Sequence, residues 1–181
     1  MAKLVTMNHL NSSTVANPGV SKNALTVAAE KSDTGDLSDM AYFSSWGPAQ
    51  DYTLKPDLSA PGYQVVSTVN HDQYQTMSGT SMAGPFAAAS AALVIQRLKQ
   101  TNPELKGAQL VAAAKAMLMN TAKPQTQLGY TTPVSPRRQG AGQIDVGAAT
   151  ATPVYVTTDD GTSSVSLHQV GESTKIYVSL P

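Results

Sequence analysis

Cysteine is absent from all 181 residues. That excludes disulfides and thiolate-held zinc and leaves the compartment open. Charge is scarce as well: Asp, Glu, Lys and Arg make up 13%, with 12 acidic against 12 basic residues and a formal net charge of zero. Nothing in that balance favours nucleic acid or an anionic membrane as a partner. With 41% hydrophobic residues, the low charge fits a packed interior rather than a disordered tail. Long apolar runs are missing. The best candidate, Met82 to Leu98, is interrupted by Pro85, Ser90, Gln96 and Arg97 and is too short for a membrane span. Met1-Ala2-Lys3 leads into no apolar signal-peptide core, and the C-terminus carries no sorting signal, so any address labels of an exported parent lie outside this chain. No Asp-x-Asp-x-Asp-Gly loop occurs; no metal ligand and no cofactor is assigned, and calcium binding stays open.

What is present centres on Ser78-Gly79-Thr80-Ser81-Met82-Ala83-Gly84-Pro85, followed at once by an Ala-rich run. Gly79 is expected to let the backbone turn sharply. Ser81 then stands at the start of a helix, where free first-turn N–H groups face whatever lies in front of its hydroxyl. An oxyanion forming there meets donors already in place. A Ser or Thr before a helix is more often a simple N-cap, and the longer pattern decides between the two. Gly-Thr-Ser-Met-Ala with the following proline resembles the nucleophile motif of the subtilisin-like serine proteases.

Further blocks resemble the same family in the same order. They are the strand Asn23 to Ala29, Tyr42-Phe43-Ser44-Ser45-Trp46-Gly47-Pro48, the loop Lys55-Pro56-Asp57-Leu58-Ser59-Ala60-Pro61-Gly62, Met119-Asn120-Thr121-Ala122, and Gly140 to Val146. Together they cover roughly residues 15–150. Gly84-Pro85-Phe86, where the family usually has Ser-Pro-His, and Val134 to Gly142 are similar to the lactocepin and C5a-peptidase group of Gram-positive cell-envelope proteinases. That resemblance implies an extracellular or cell-wall location and a protein or peptide substrate.

The family's catalytic order is Asp, His, Ser. Here Ser81 comes too early for strands and a helix carrying the other two. The histidines are His9, His71 and His168, and none has the family's His-Gly-Thr-His setting. His71, inside Asn70-His71-Asp72-Gln73, reads as a turn residue. Asp33-Thr34-Gly35 mimics the catalytic Asp motif, yet its neighbours Glu30, Lys31, Asp36 and Asp39 describe a solvated loop. The resemblance implies an oxyanion hole made of the Ser81 backbone N–H, with Thr80 assisting and a side-chain amide from Asn8 or Asn11.

The expected fold class is α/β: residues 1–150 as the C-terminal portion of a subtilisin-like, parallel-sheet, three-layer peptidase domain. Val154-Tyr155-Val156, Val165-Ser166-Leu167 and Ile176-Tyr177-Val178 read as short strands with a hairpin signature. The resemblance to the cell-envelope proteinase group implies that residues 151–181 open a fibronectin-like β-sandwich. Residues 23–29, 63–69 and 74–77 read as strands. A helix over about 81–100 is apolar all round in its first part and therefore expected to be buried on every side, with Pro85 near its first turn. A second helix spans about 106–120 with Met117 and Met119 as core filler, and 123–139 reads as a surface loop on which Arg137-Arg138 are solvated or paired with a local carboxylate rather than an anion site. The functional expectation is a fragment of a serine endopeptidase, inactive alone because its Asp and His lie in a missing N-terminal part. The alternative is a non-enzymatic product, or a scaffold piece that docks with a partner carrying the other half.

Overall fold

The computed structural model describes residues 12–31, 40–127, 129–158, 161–165 and 178–179. Two short strands form its centre. β1 (Val27–Lys31) and β2 (Leu58–Tyr63) run parallel, with Val27 opposite Leu58 and Ala29 opposite Ala60. Both are buried on both faces, and the Val27-Ala28-Ala29 part of β1 accordingly reads as an apolar run rather than an alternating one. Residues 55–62, expected as a loop, are therefore largely strand. Pro61 and Gly62 look like turn formers in sequence, but β2 is held from two sides. Val27 to Lys31 line one edge, while Ser59 N–H donates to Gly142 O at 2.8 Å and Ile144 N–H to Ser59 O at 3.0 Å on the other.

A hairpin follows. β3 (Val65–Val69) pairs antiparallel with β4 (Gln73–Met77) through a turn in which His71 and Asp72 take left-handed φ values of 63° and 54°. α1 (Thr80–Thr101) starts just beyond it, and α2 (Gly107–Asn120) packs against α1. The break at Asn102-Pro103 falls where the sequence places it.

α1 is not buried on every side. Among the described residues only one stripe is covered: Ala83, Ala87, Ser90, Val94 and Leu98, at spacings of three and four. That stripe faces β1, β2, α2 and the short helix α4 (Val146–Ala151), while Phe86 and Leu93 are about half exposed. The helix has two apolar faces, and the described chain supplies a neighbour for one. Met117 and Leu118 of α2 join Leu58, Val94, Leu110 and Ile144 in the core, and Met119 packs at its margin.

The 123–139 segment is also not a plain surface loop. It ends in the four-residue helix α3 (Pro136–Gln139), capped by Ser135, and buries Gln125, Val134 and Gln139. Gln139 explains this: its amide donates to Val134 O at 2.6 Å and accepts from Gln125 N–H at 2.6 Å, so a polar side chain closes the loop from inside. Near the C-terminus the observed pairing is β5 (Thr157–Thr158) with β6 (Val178–Ser179), antiparallel. Val154 to Val156 precede it without strand geometry, Val156 N–H donating instead to the Asn120 side chain. Residues 166–177, with most of two expected strand segments, lie outside the described residues.

Candidate active site

Ser81 is the second residue of α1, and its side chain is exposed. Gly79 is the N-cap and makes no side-chain cap; its carbonyl accepts from Met82 N–H at 3.0 Å. No acidic residue occupies the first turn, so no side chain of that turn offsets the positive end of the helix dipole beside the Ser81 hydroxyl. Thr80, the first helical residue, is exposed next to it. Pro85 falls in the second turn rather than the first. The N–H it lacks is the one that would reach the Ser81 carbonyl.

The glycine that carries the geometry is Gly62, not Gly79. Gly79 is extended (φ 162°, ψ 160°), and a Cβ on it would meet Met82 Sδ and Ser81 N only at 3.6 Å. At Gly62 a Cβ would lie 2.7 Å from Ala29 Cβ and 2.8 Å from Gly79 O. The end of β2 is thus pressed against the loop before Ser81, and Gly79 N–H donates to Gly62 O at 2.8 Å. Ser78 adds a second tether, its Oγ accepting from Gln64 N–H at 2.8 Å, where Gln64 holds a left-handed φ of 53°. The sequence reading did not assign Gly62 or Ser78 a role in positioning. The signal was there, since each ends or begins a motif block flanking the hairpin.

His71 is not brought to Ser81. Ser81 sits near the open end of the hairpin beside Gly62, whereas His71 is exposed in the turn at the closed end. At about 3.3 Å per residue, β4 separates the two ends by on the order of 13 Å, well beyond hydrogen-bond reach of a base. Asn8, Asn11, His9, Asp33 and His168 lie outside the described residues.

Three polar constructions hold the frame. The Lys55-Pro56-Asp57 block is a buried ion cluster: Asp57 Oδ2 accepts from Lys55 Nζ at 2.8 Å and from Thr26 N–H at 2.7 Å, and Lys115 Nζ stands 3.4 Å from Oδ1. Burial lowers the Lys115 pKa, opposed by the Asp57 charge and reinforced by the neighbouring Lys55 ammonium. Glu30 is fully buried on β1, accepts from Ser59 Oγ at 3.1 Å, and has one oxygen without a partner among the described residues. Burial raises its pKa from 4.5 to about 7 despite hydrogen bonds from Ser59 and Gln143. Third, Arg137 and Arg138 are neither simply solvated nor merely ion-paired. Arg137 Nε donates to Gly47 O at 3.1 Å, and Arg138 donates to Met40 O at 3.3 Å while lying 4.5 Å over the Trp46 ring. They clamp the 40–48 block, whose Phe43 stacks on Tyr63 at the end of β2. Among the described residues no group of His, Asp or Glu has metal-holding geometry, and no helix is long and apolar enough to cross a membrane.

The family model described as the subtilase family (peptidase S8) matches residues 6–142. A PII-type proteinase of Lactococcus lactis subsp. cremoris is 40% identical over 168 residues, covering 86% of this chain and 9% of that protein. A C5a peptidase of Streptococcus pyogenes serotype M6 is 34% identical over 148 residues, covering 81% of this chain and 12% of that protein. Among solved structures, the CspB protease of Clostridium perfringens superposes with a TM-score of 0.60 at 27% identity, over 76% of this chain and 28% of its own. The chain therefore spans a small part of these relatives' lengths.

Proposed function

Because the chain belongs to the subtilase family, we propose that it carries the nucleophile of a serine endopeptidase and that Ser81 is that nucleophile. Ser81 Oγ attacks a peptide carbonyl, and the tetrahedral oxyanion is held by the Ser81 backbone N–H, with Thr80 assisting and Asn8 or Asn11 supplying a side-chain amide. The observation that carries this reading is the placement of an exposed Ser81 in the first turn of α1, with its approach loop pinned to β2 through Gly79 N–H and Gly62 O.

In this reading the base and its orienting carboxylate come from a preceding part of the same domain, which also covers the Phe86 and Leu93 face of α1 and completes the three layers. Residues 1–150 are then the later part of the peptidase domain. Residues 151–181 open a fibronectin-like β-sandwich, of which the β5–β6 pairing is a part. The substrate is a protein or peptide, and the parent acts outside the cell or on its wall. A serine without its base is a weak nucleophile, so the chain alone is expected to leave casein uncleaved over hours. Rapid cleavage abolished by Ser81→Ala would overturn the assignment of the missing base. The exposed Phe86 and Leu93 also suit a second reading, a non-catalytic piece that docks onto a partner carrying the other half.

A further inference from the structure

β2 ends at Tyr63 and β3 begins at Val65, so the whole change of direction between them falls on one residue, Gln64. Gln64 makes it in the left-handed region, at φ 53°, where a residue with a Cβ is disfavoured and has to be held by its surroundings. His71 and Asp72 are left-handed too, but they lie in the turn of the ribbon, where such values are usual. Gln64 is exposed and belongs to no such turn.

Among the described residues, what holds it is a side chain. Val65 stands opposite Met77, so the next rung of the ribbon falls on Gln64 and Ser78, and the Ser78 hydroxyl makes it, Oγ accepting from Gln64 N–H at 2.8 Å. Because a hydroxyl supplies that bond, the main chain after Met77 is free to leave the ribbon. One residue on, Gly79 N–H donates to Gly62 O at 2.8 Å. Ser78 and Gly79 thus fasten the loop to both sides of the Gln64 joint, immediately ahead of Thr80 and Ser81. Little else steadies the ribbon: all of β4 is exposed, and β3 is half-buried only at Val65 and Val69.

We infer that Ser78 is a positioning residue for Ser81. Its hydroxyl is the latch that keeps Gln64 left-handed, sets the angle of the hairpin to β2 and, through Gly79, holds the Ser81 N–H in place. The inference rests on the reading of Ser81 as the nucleophile, whose oxyanion donor is that N–H. Without the hydroxyl, Gln64 relaxes to the extended region, the ribbon turns about this one residue, and the bond from Gly79 to Gly62 opens more often.

The test is amide hydrogen exchange of the full chain followed by NMR. Ser78→Ala is expected to speed exchange at Gly79 by roughly three- to tenfold, the worth of one hydrogen bond. It should also shift the Ser81 amide resonance, while Val94 inside α1 stays as in wild type. Ser78→Thr keeps the hydroxyl and should restore both readings. Glycine adopts the left-handed region without strain, so in a Gln64→Gly background the effect of Ser78→Ala should shrink. Unchanged exchange at Gly79 in Ser78→Ala, no rescue by Ser78→Thr, or an equal effect in both backgrounds would overturn the inference. Any of these removes the latch and leaves the Ser81 assignment standing, because none of the readings depends on bond cleavage.

Discussion

A single missing methyl group sets the approach to Ser81. Any side chain on Gly62 would be driven into Ala29 and into the Gly79 carbonyl, whereas Gly79 itself has ordinary space around it. Gly62→Ala is therefore expected to lower stability by about 1–3 kcal/mol, as overpacking does. Gly79→Ala is expected to cost well under half of that, with the comparison read from urea midpoints. Equal effects would contradict the close approach described here. Glu30 gives a second prediction at the same scale. Folded Glu30 keeps its proton up to about pH 7, while its unfolded value is 4.5, so the folded state binds more protons between those limits. Stability contributed by the neutral form is thus complete below pH 4.5 and declines as pH rises to about 7. The loss is on the order of 3 kcal/mol, since each pKa unit corresponds to about 1.4 kcal/mol. Glu30→Gln, which mimics the protonated acid, should flatten that slope, so that its advantage over wild type is larger at pH 8 than at pH 5. Parallel pH profiles for the two proteins would contradict it.

At the scale of elements, an ion cluster adds a polar tie between α2 and the centre to the packing of Leu110, Met117 and Leu118. Lys115 of α2 and Lys55 ahead of β2 meet on Asp57 and on the Ala24 carbonyl before β1. Removing the shared carboxylate leaves the buried Lys55 ammonium and the partly buried Lys115 ammonium without that counter-charge. Asp57→Asn should therefore destabilise the chain by about 3–5 kcal/mol, the cost of breaking a buried pair from one side; a change below about 1 kcal/mol in denaturant unfolding would contradict the cluster's role. The sequence identified Lys55-Pro56-Asp57 as a motif but not as a junction, because its partner Lys115 stands far along the chain. The same limit explains β2. Leu58 to Gly62 contains Pro61 and Gly62, which argue locally for a turn, and only partners from 27–31 and 142–144 make it a strand. The two long helices and the β3–β4 hairpin were legible because their signals are local: three-and-four spacing, the Asn102-Pro103 break, and β-branched residues around Asn70-His71-Asp72. Ser81 was legible for the same reason. The inward Gln139 and the Arg137–Arg138 clamp were not, since both act on residues remote in sequence.

Over the whole molecule, the fold is organised around one helix with two apolar faces. One face closes the core against β1, β2, α2 and α4; the other presents Phe86 and Leu93. The match to the subtilase family over residues 6–142 explains why an exposed serine, a helix N-terminus and a pinned approach loop occur together. On the proposed reading Ser81 is the nucleophile, and His71 sits at the wrong end of the hairpin to activate it. The central claim is that Ser81 is poised but without a base in this chain. The most direct measurement is fluorophosphonate labelling of the purified, folded chain, read by intact mass beside Ser81→Ala. The account predicts no adduct in either protein while circular dichroism confirms helix content. An adduct on the chain that disappears in Ser81→Ala would contradict it, because only a serine with a working base reacts in that way.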